Sequence, residues 1–153
     1  MVPKKDRDNG GWWNMLQIIV IDGMGGGIGS QVVAQLQTVL TSDLGYELLA
    51  LGTNAAATSK MVRAGAHRGA TGENAICFCV PRAKVIIGPL GIIIPNGMLG
   101  EITPNIATAV VSSPAKKYLL PIGQPHVELV GISEVPLAVL LKEVVERVRR
   151  QFL

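Results

Sequence analysis

Residues 15–29 read MLQIIVIDGMGGGIG, and no other stretch constrains the fold as strongly. Leu16 to Ile21 is apolar except at Gln17 and ends in Asp22. Five of the next seven residues are glycine: Gly23, Gly25, Gly26, Gly27 and Gly29. A helical pattern then starts near Ile28, with Val32, Val33, Leu36, Val39 and Leu40 at three- and four-residue spacing. A buried strand, a glycine turn and a helix start make an anion-binding arrangement. Glycine removes the Cβ atoms that would hold an anion away, and the helix N-terminus offers free N–H donors and a partial positive charge. The ligand this predicts is a nucleotide or another small phosphorylated molecule.

The rest of the chain alternates strand and helix patterns. Strands are expected at Gln17–Ile21, Leu48–Leu51, Lys84–Ile87, Lys117–Pro121 and His126–Val130. Thr53 or Asn54 caps a helix over Ala55–Ala64 that stops at Gly65. Residues 66–74, with two glycines, read as a loop. Ala75–Val80 reads as a short helix capped by Thr71, with a strand as the alternative. Gly91–Gly100 is punctuated by glycine and proline. It leads into a helix over Glu101–Ser112 that carries Pro104 in its first turn. Pro136 opens a last helix whose apolar face is Leu137, Leu140, Leu141, Val144, Val145, Val148 and Phe152. The expected fold class is α/β. Its three layers are an open, mostly parallel sheet of about five strands with helices on both faces, Rossmann-like.

The 153 residues suit one domain over residues 15–153, preceded by a polar tail over residues 1–14. Met15 stands directly before the first strand and is the expected native start; docking of Trp12 and Trp13 onto the core is the alternative to a free tail. The apolar fraction is 48% with only 4% aromatics, as suits a parallel sheet buried on both faces. A mean hydropathy of +0.39 with few charges predicts a homo-oligomer, most simply a dimer. The net charge of +3 is spread out, apart from Lys4, Lys5 and Arg7 and the C-terminal Arg147, Arg149 and Arg150. This argues against nucleic acid as a partner. Apolar runs of about ten residues are too short to span a membrane. No secretory signal is evident, and Cys77 and Cys79 are too close for a useful disulfide, so a cytoplasmic location is expected.

The candidate site follows from the sheet, because ligands of open α/β sheets sit beyond the carboxyl ends of the strands. Those ends bring Asp22 with Gly23, Gly25, Gly26, Gly27, Ile28 and Gly29, then Gly52, Thr53 and Asn54, then Gly88 and Pro89. Thr71, Gly72, Glu73, Asn74 and Asn96 are expected to line the remaining pocket. Three acids lie in glycine-rich loops: Asp22, Glu73 and Glu101. They are the candidates for a general base or for a Mg²⁺ site. Helix-start electrostatics explains Glu73 and Glu101 equally well. Asp22 is also read as a structural acceptor or a ribose contact. His67, His126, Cys77 and Cys79 lack the spacing of a structural zinc site.

The spacing Gly23-x-x-x-Gly27-Ile28-Gly29 resembles the cofactor loop of short-chain dehydrogenases, which makes NAD(P) a possible cofactor. The departures are clear. No acid ends the second strand to hold a ribose, and neither Tyr46 nor Tyr118 is followed by the dehydrogenase lysine. The chain also lacks the lysine of a P-loop. The turn at Thr53-Asn54 loosely resembles the phosphate turn of methylglyoxal-synthase-like domains. A broader likeness rests on Ile19-Val20-Ile21-Asp22-Gly23-x-Gly25-Gly26-Gly27-Ile28-Gly29, Ala50-Leu51-Gly52-Thr53-Asn54, Gly69-Ala70-Thr71-Gly72-Glu73-Asn74-Ala75, Ile87-Gly88-Pro89 and Ile94-Pro95-Asn96. Through these segments the chain resembles a family of small bacterial proteins classed as domain of unknown function 3842. Met24 stands where that family is expected to carry Gln. The resemblance implies a Rossmann-like fold and supplies no activity. Three functions are compatible with the sequence: a phosphate-ligand binding protein, a small lyase, transferase or NAD(P)-linked enzyme using Asp22 or Glu73, and an accessory protein acting through an apolar interface.

Overall fold

Strands buried on both faces need largely apolar runs, and three segments of this chain supply them. In the computed structural model, which describes residues 15–41, 44–124 and 126–152, these are β1 (Leu16–Asp22), β2 (Tyr46–Gly52) and β4 (Val85–Pro89). They form the centre of a five-stranded, all-parallel sheet of order β3-β2-β1-β4-β5, edged by β3 (Arg68–Thr71) and β5 (Lys116–Leu120). The helices are α1 (Gly27–Leu36), α2 (Ala55–Arg63), α3 (Glu73–Cys79), α4 (Pro104–Ser112) and α5 (Leu137–Phe152). The expected N-terminal tail, with Trp12 and Trp13, and the Phe152 side chain lie outside what is described.

Successive residues of each strand face opposite ways, so the sheet feeds two cores. Ile18, Val20, Leu48, Ala50, Val85 and Ile87 pack with Val32, Val33 and Leu36 of α1, Met61 of α2 and Leu141, Val144, Val145 and Val148 of α5. Ile19, Ile21, Leu49, Leu51 and Ile86 pack with Ile76 of α3 and Ile106, Ala107 and Val110 of α4. Each fully buried Ile or Leu contributes about 1.5–3 kcal/mol. The three-layer α/β architecture is thus the one expected.

Two strand assignments differ from the expectation. Residues 68–71 form β3 rather than loop. As an edge strand, Arg-Gly-Ala-Thr is largely exposed and needs no apolar run. Its ladder to β2 is backed by a bond between the Thr58 and Thr71 hydroxyls at 2.7 Å. Conversely, His126–Val130 is not a strand. Among the described residues its alternation finds no ladder; the segment crosses between β5 and α5 with turn bonds such as Val127 N–H to the Gln124 carbonyl. The third helix starts at Glu73, capped at Gly72 without a side-chain bond, so Thr71 is not its cap. The fourth starts at Pro104 behind Thr103, whose hydroxyl accepts the Ile106 N–H.

A polar row crosses β1, β2 and β3 within the sheet. Glu47, 5% exposed, accepts Arg68 Nε at 2.5 Å and Gln17 Nε2 at 3.4 Å. Removing Arg68 leaves a nearly buried carboxylate with one long neutral bond, a desolvation cost without return. Arg68→Ala is therefore expected to lower stability by about 1–3 kcal/mol in urea denaturation. Adding Glu47→Gln to that variant restores part of the loss.

Candidate functional site

The glycine turn is closed from inside by Asp22. This residue ends β1 and is 3% exposed. Its Oδ1 accepts Gly23 N–H at 2.8 Å and its Oδ2 accepts Gly29 N–H at 2.7 Å, with Ile28 N–H also directed at the carboxylate. Burial pushes its pKa above the ordinary carboxylate range, against the three amides that favour the charged form. The nearby Glu101 charge adds to the rise. Asp22 is thus the structural acceptor of its own turn, and neither oxygen is left free of it.

The glycines divide into two kinds. A Cβ at Gly26 would lie 2.8 Å from Ala57 Cα, and Gly26 has φ +71°, so both space and backbone demand glycine where α1 meets α2. A Cβ at Gly29 would meet Asp22 Cβ at 2.7 Å, and one at Gly23 would meet Thr53 Oγ1 at 2.6 Å and Glu101 Oε2 at 2.7 Å. Gly25 and Gly27 differ: a Cβ at either would meet nothing within 4 Å, and neither has a left-handed φ. Their amides have no acceptor among the described residues. Gly27 begins α1, which carries no acid in its first turn.

Glu101 joins the turn from the segment between β4 and α4. Its Oε2 accepts Met24 N–H at 2.5 Å and its Oε1 accepts Asn54 Nδ2 at 2.7 Å. Burial opposes its ionisation, but the bonds from Met24 N–H and the Asn54 amide outweigh it, and the pKa is lowered. The Thr53 hydroxyl is close enough to favour the ionised form, although its oxygen is buried and completes no hydrogen bond of proper geometry. Asn54 connects three segments: Nδ2 also donates to the Met24 carbonyl at 2.8 Å, while Oδ1 caps α2 by accepting Ala57 N–H at 2.9 Å. The loop that delivers Glu101 is bent through left-handed backbone at Asn96, Met98, Leu99 and Gly100. Asn96 N–H to the Ile102 carbonyl at 2.7 Å and Gly100 N–H to the Asn96 carbonyl at 3.1 Å hold it.

The other expected residues take more local roles. Gly52 accepts Gly72 N–H at 2.9 Å, tying the ends of β2 and β3. Gly88 and Pro89 are buried at the end of β4, where a Cβ on Gly88 would touch the Ile21 carbonyl at 2.6 Å. Glu73 accepts the Thr103 hydroxyl, which places it between α3 and α4 rather than on the glycine turn. Asn74 is exposed in the first turn of α3, and Asn96 serves its own loop. Asp22, Glu73 and Glu101 do not converge: among the described residues no three His, Cys, Asp or Glu side chains come together to hold a metal. His67 Nδ1 accepts Leu48 N–H at 2.9 Å, between β2 and the start of β3. The spatial pairing of Glu101 with Asn54, 47 residues apart, has no sequence signal.

A family model covers residues 17–153, and its description is domain of unknown function (DUF3842). The chain belongs to this family. A search of curated proteins finds no match. Among the described residues, no helix is long and apolar enough to cross a membrane.

Asp22 makes the protein's stability depend on pH in a definite sense. A carboxyl whose pKa is raised on folding binds its proton more tightly in the folded state. Its contribution is full below the ordinary carboxylate pKa and declines as pH rises through the raised value. In thermal denaturation across the acid range the wild type should lose stability relative to Asp22→Asn as pH rises, with the sheet's circular dichroism intact in both.

Proposed function

We propose that this member of DUF3842 binds a nucleotide or small phosphorylated metabolite in the crevice outside the carboxyl ends of β1 and β4. The strand order reverses between these two strands, which is where open α/β sheets take their ligands. One observation carries the reading. Packing accounts for Gly23, Gly26 and Gly29 but not for Gly25 and Gly27, whose amides stand free at the start of α1 beside open space. A phosphate is the group that such amides and a helix N-terminus satisfy. Binding needs only these backbone donors. A catalytic reading needs several ionisable groups facing the crevice; of the three candidate acids Asp22 is occupied by its turn and Glu73 is engaged by Thr103, which leaves Glu101 alone beside the glycine turn.

Gly27→Val should fold, since its Cβ would meet open space, yet it should block the approach of a phosphate. Isothermal titration with ADP, NAD⁺ and inorganic pyrophosphate is expected to give binding to the wild type and at least tenfold weaker binding to the variant. Equal affinities would remove the turn from the site.

A second reading, an apolar interface between copies of the chain, is favoured by the segment before α5. Val130 is 97% exposed, and Val127, Leu129 and Ile132 beside it are exposed as well. The proposed assembly is a dimer. Sedimentation should give a dimer at micromolar concentration and a monomer for the double variant Val130→Asp, Ile132→Asp. A wild-type monomer at every concentration would end this reading.

A further inference from the structure

In doubly wound folds an acid at the end of the second strand accepts the hydroxyls of a bound ribose. Here β2 ends at Gly52 and is followed by Thr53 and Asn54, so the sequence offers no such acid. The fold supplies one from elsewhere. The Glu101 carboxylate lies against Asn54 and Thr53 and against the first glycine of the turn. We infer that Glu101 is the ribose-binding carboxylate of this chain, and that the nucleotide it selects carries a free 2′,3′-diol. The inference rests on the glycine turn being the phosphate site.

The geometry leaves Glu101 able to do this. Each carboxylate oxygen accepts one bond, from Met24 N–H and from Asn54 Nδ2. An ionised carboxylate has roughly four acceptor positions, so about two remain. Glu101 is only partly buried, and Gly100 before it faces open space. Both donors are neutral, and among the described residues no Lys, Arg or His forms an ion pair with it. Such a carboxylate attracts hydroxyl donors and repels a second anion, so a 2′-phosphate is disfavoured. The hydrogen-bonded, left-handed turn at residues 96–100 fixes the carboxylate in place before any ligand arrives.

Calorimetric titration of the full chain with ADP, 2′-deoxy-ADP and pyrophosphate tests the assignment. The wild type should prefer ADP over 2′-deoxy-ADP by roughly tenfold or more, the effect of hydrogen bonds to a charged group. Glu101→Gln, checked for folding by circular dichroism, should bind ADP more weakly by a similar factor and lose the preference. The comparison of the two nucleotides on the wild type needs no variant, so it stands even if Glu101→Gln misfolds. Binding of ADP and 2′-deoxy-ADP with equal affinity overturns the assignment and leaves the phosphate site standing. Tighter ADP binding by Glu101→Gln also overturns it, because Glu101 would then be a competitor for the anion. If neither ADP nor pyrophosphate binds the wild type, the phosphate site and the ribose assignment fall together.

Discussion

The rim of this sheet is organised by one buried carboxylate held by the amides it precedes. Asp22 takes Gly23, Ile28 and Gly29, so the end of β1 and the first turn of α1 are joined through a single side chain. An isolated carboxylate at this depth would be costly. Three amide donors and the positive end of a helix offset part of that cost, and burial still holds the pKa above the ordinary range. The consequence reaches outward. Because Gly29 must leave room for Asp22, α1 sits close to β1, and because Gly26 must clear Ala57, α1 and α2 approach at their N-termini. Both helix starts are thereby directed to the same edge of the sheet, where a ligand would meet backbone donors rather than side chains.

Much of this was legible in the sequence. Central parallel strands announce themselves as continuous apolar runs, and β1, β2 and β4 all did. The glycine turn and the apolar stripe of α5 were equally plain. The edge was not. β3 pairs along one side only and is exposed, so Arg68 to Thr71 carries no strand signature, while His126 to Val130 carries one without having a sheet to join. Pattern reports what a segment would do if a neighbour were available; availability is decided by topology.

The site was legible residue by residue but not as an arrangement. Asp22, Asn54 and Glu101 were each visible as polar residues at strand ends or in glycine-rich loops. That Asp22 is consumed by its own turn follows from local geometry and was open to inference. That Asn54 binds Met24 and Glu101 at once depends on how a loop 47 residues distant is bent, and single-residue propensity carries no trace of that. The left-handed residues Asn96, Met98 and Leu99 are the reason: two of the three are types that sequence reading places in regular structure.

Asn54 makes these segments interdependent. Its carboxamide oxygen caps α2 while its nitrogen bonds both the glycine turn and the Glu101 carboxylate. Rotating the amide by half a turn would set a nitrogen against Ala57 N–H and an oxygen against a carboxylate, losing all three bonds at once. The cap therefore locks the orientation in which the amide can hold Glu101. In this way an ordinary helix N-cap, present to satisfy backbone donors, also determines that a negative charge stands beside the glycine turn while the amides of Gly25 and Gly27 remain free. The rim then has one face suited to an anion and another suited to hydroxyl donors. A nucleotide is a molecule that presents both, at neighbouring positions.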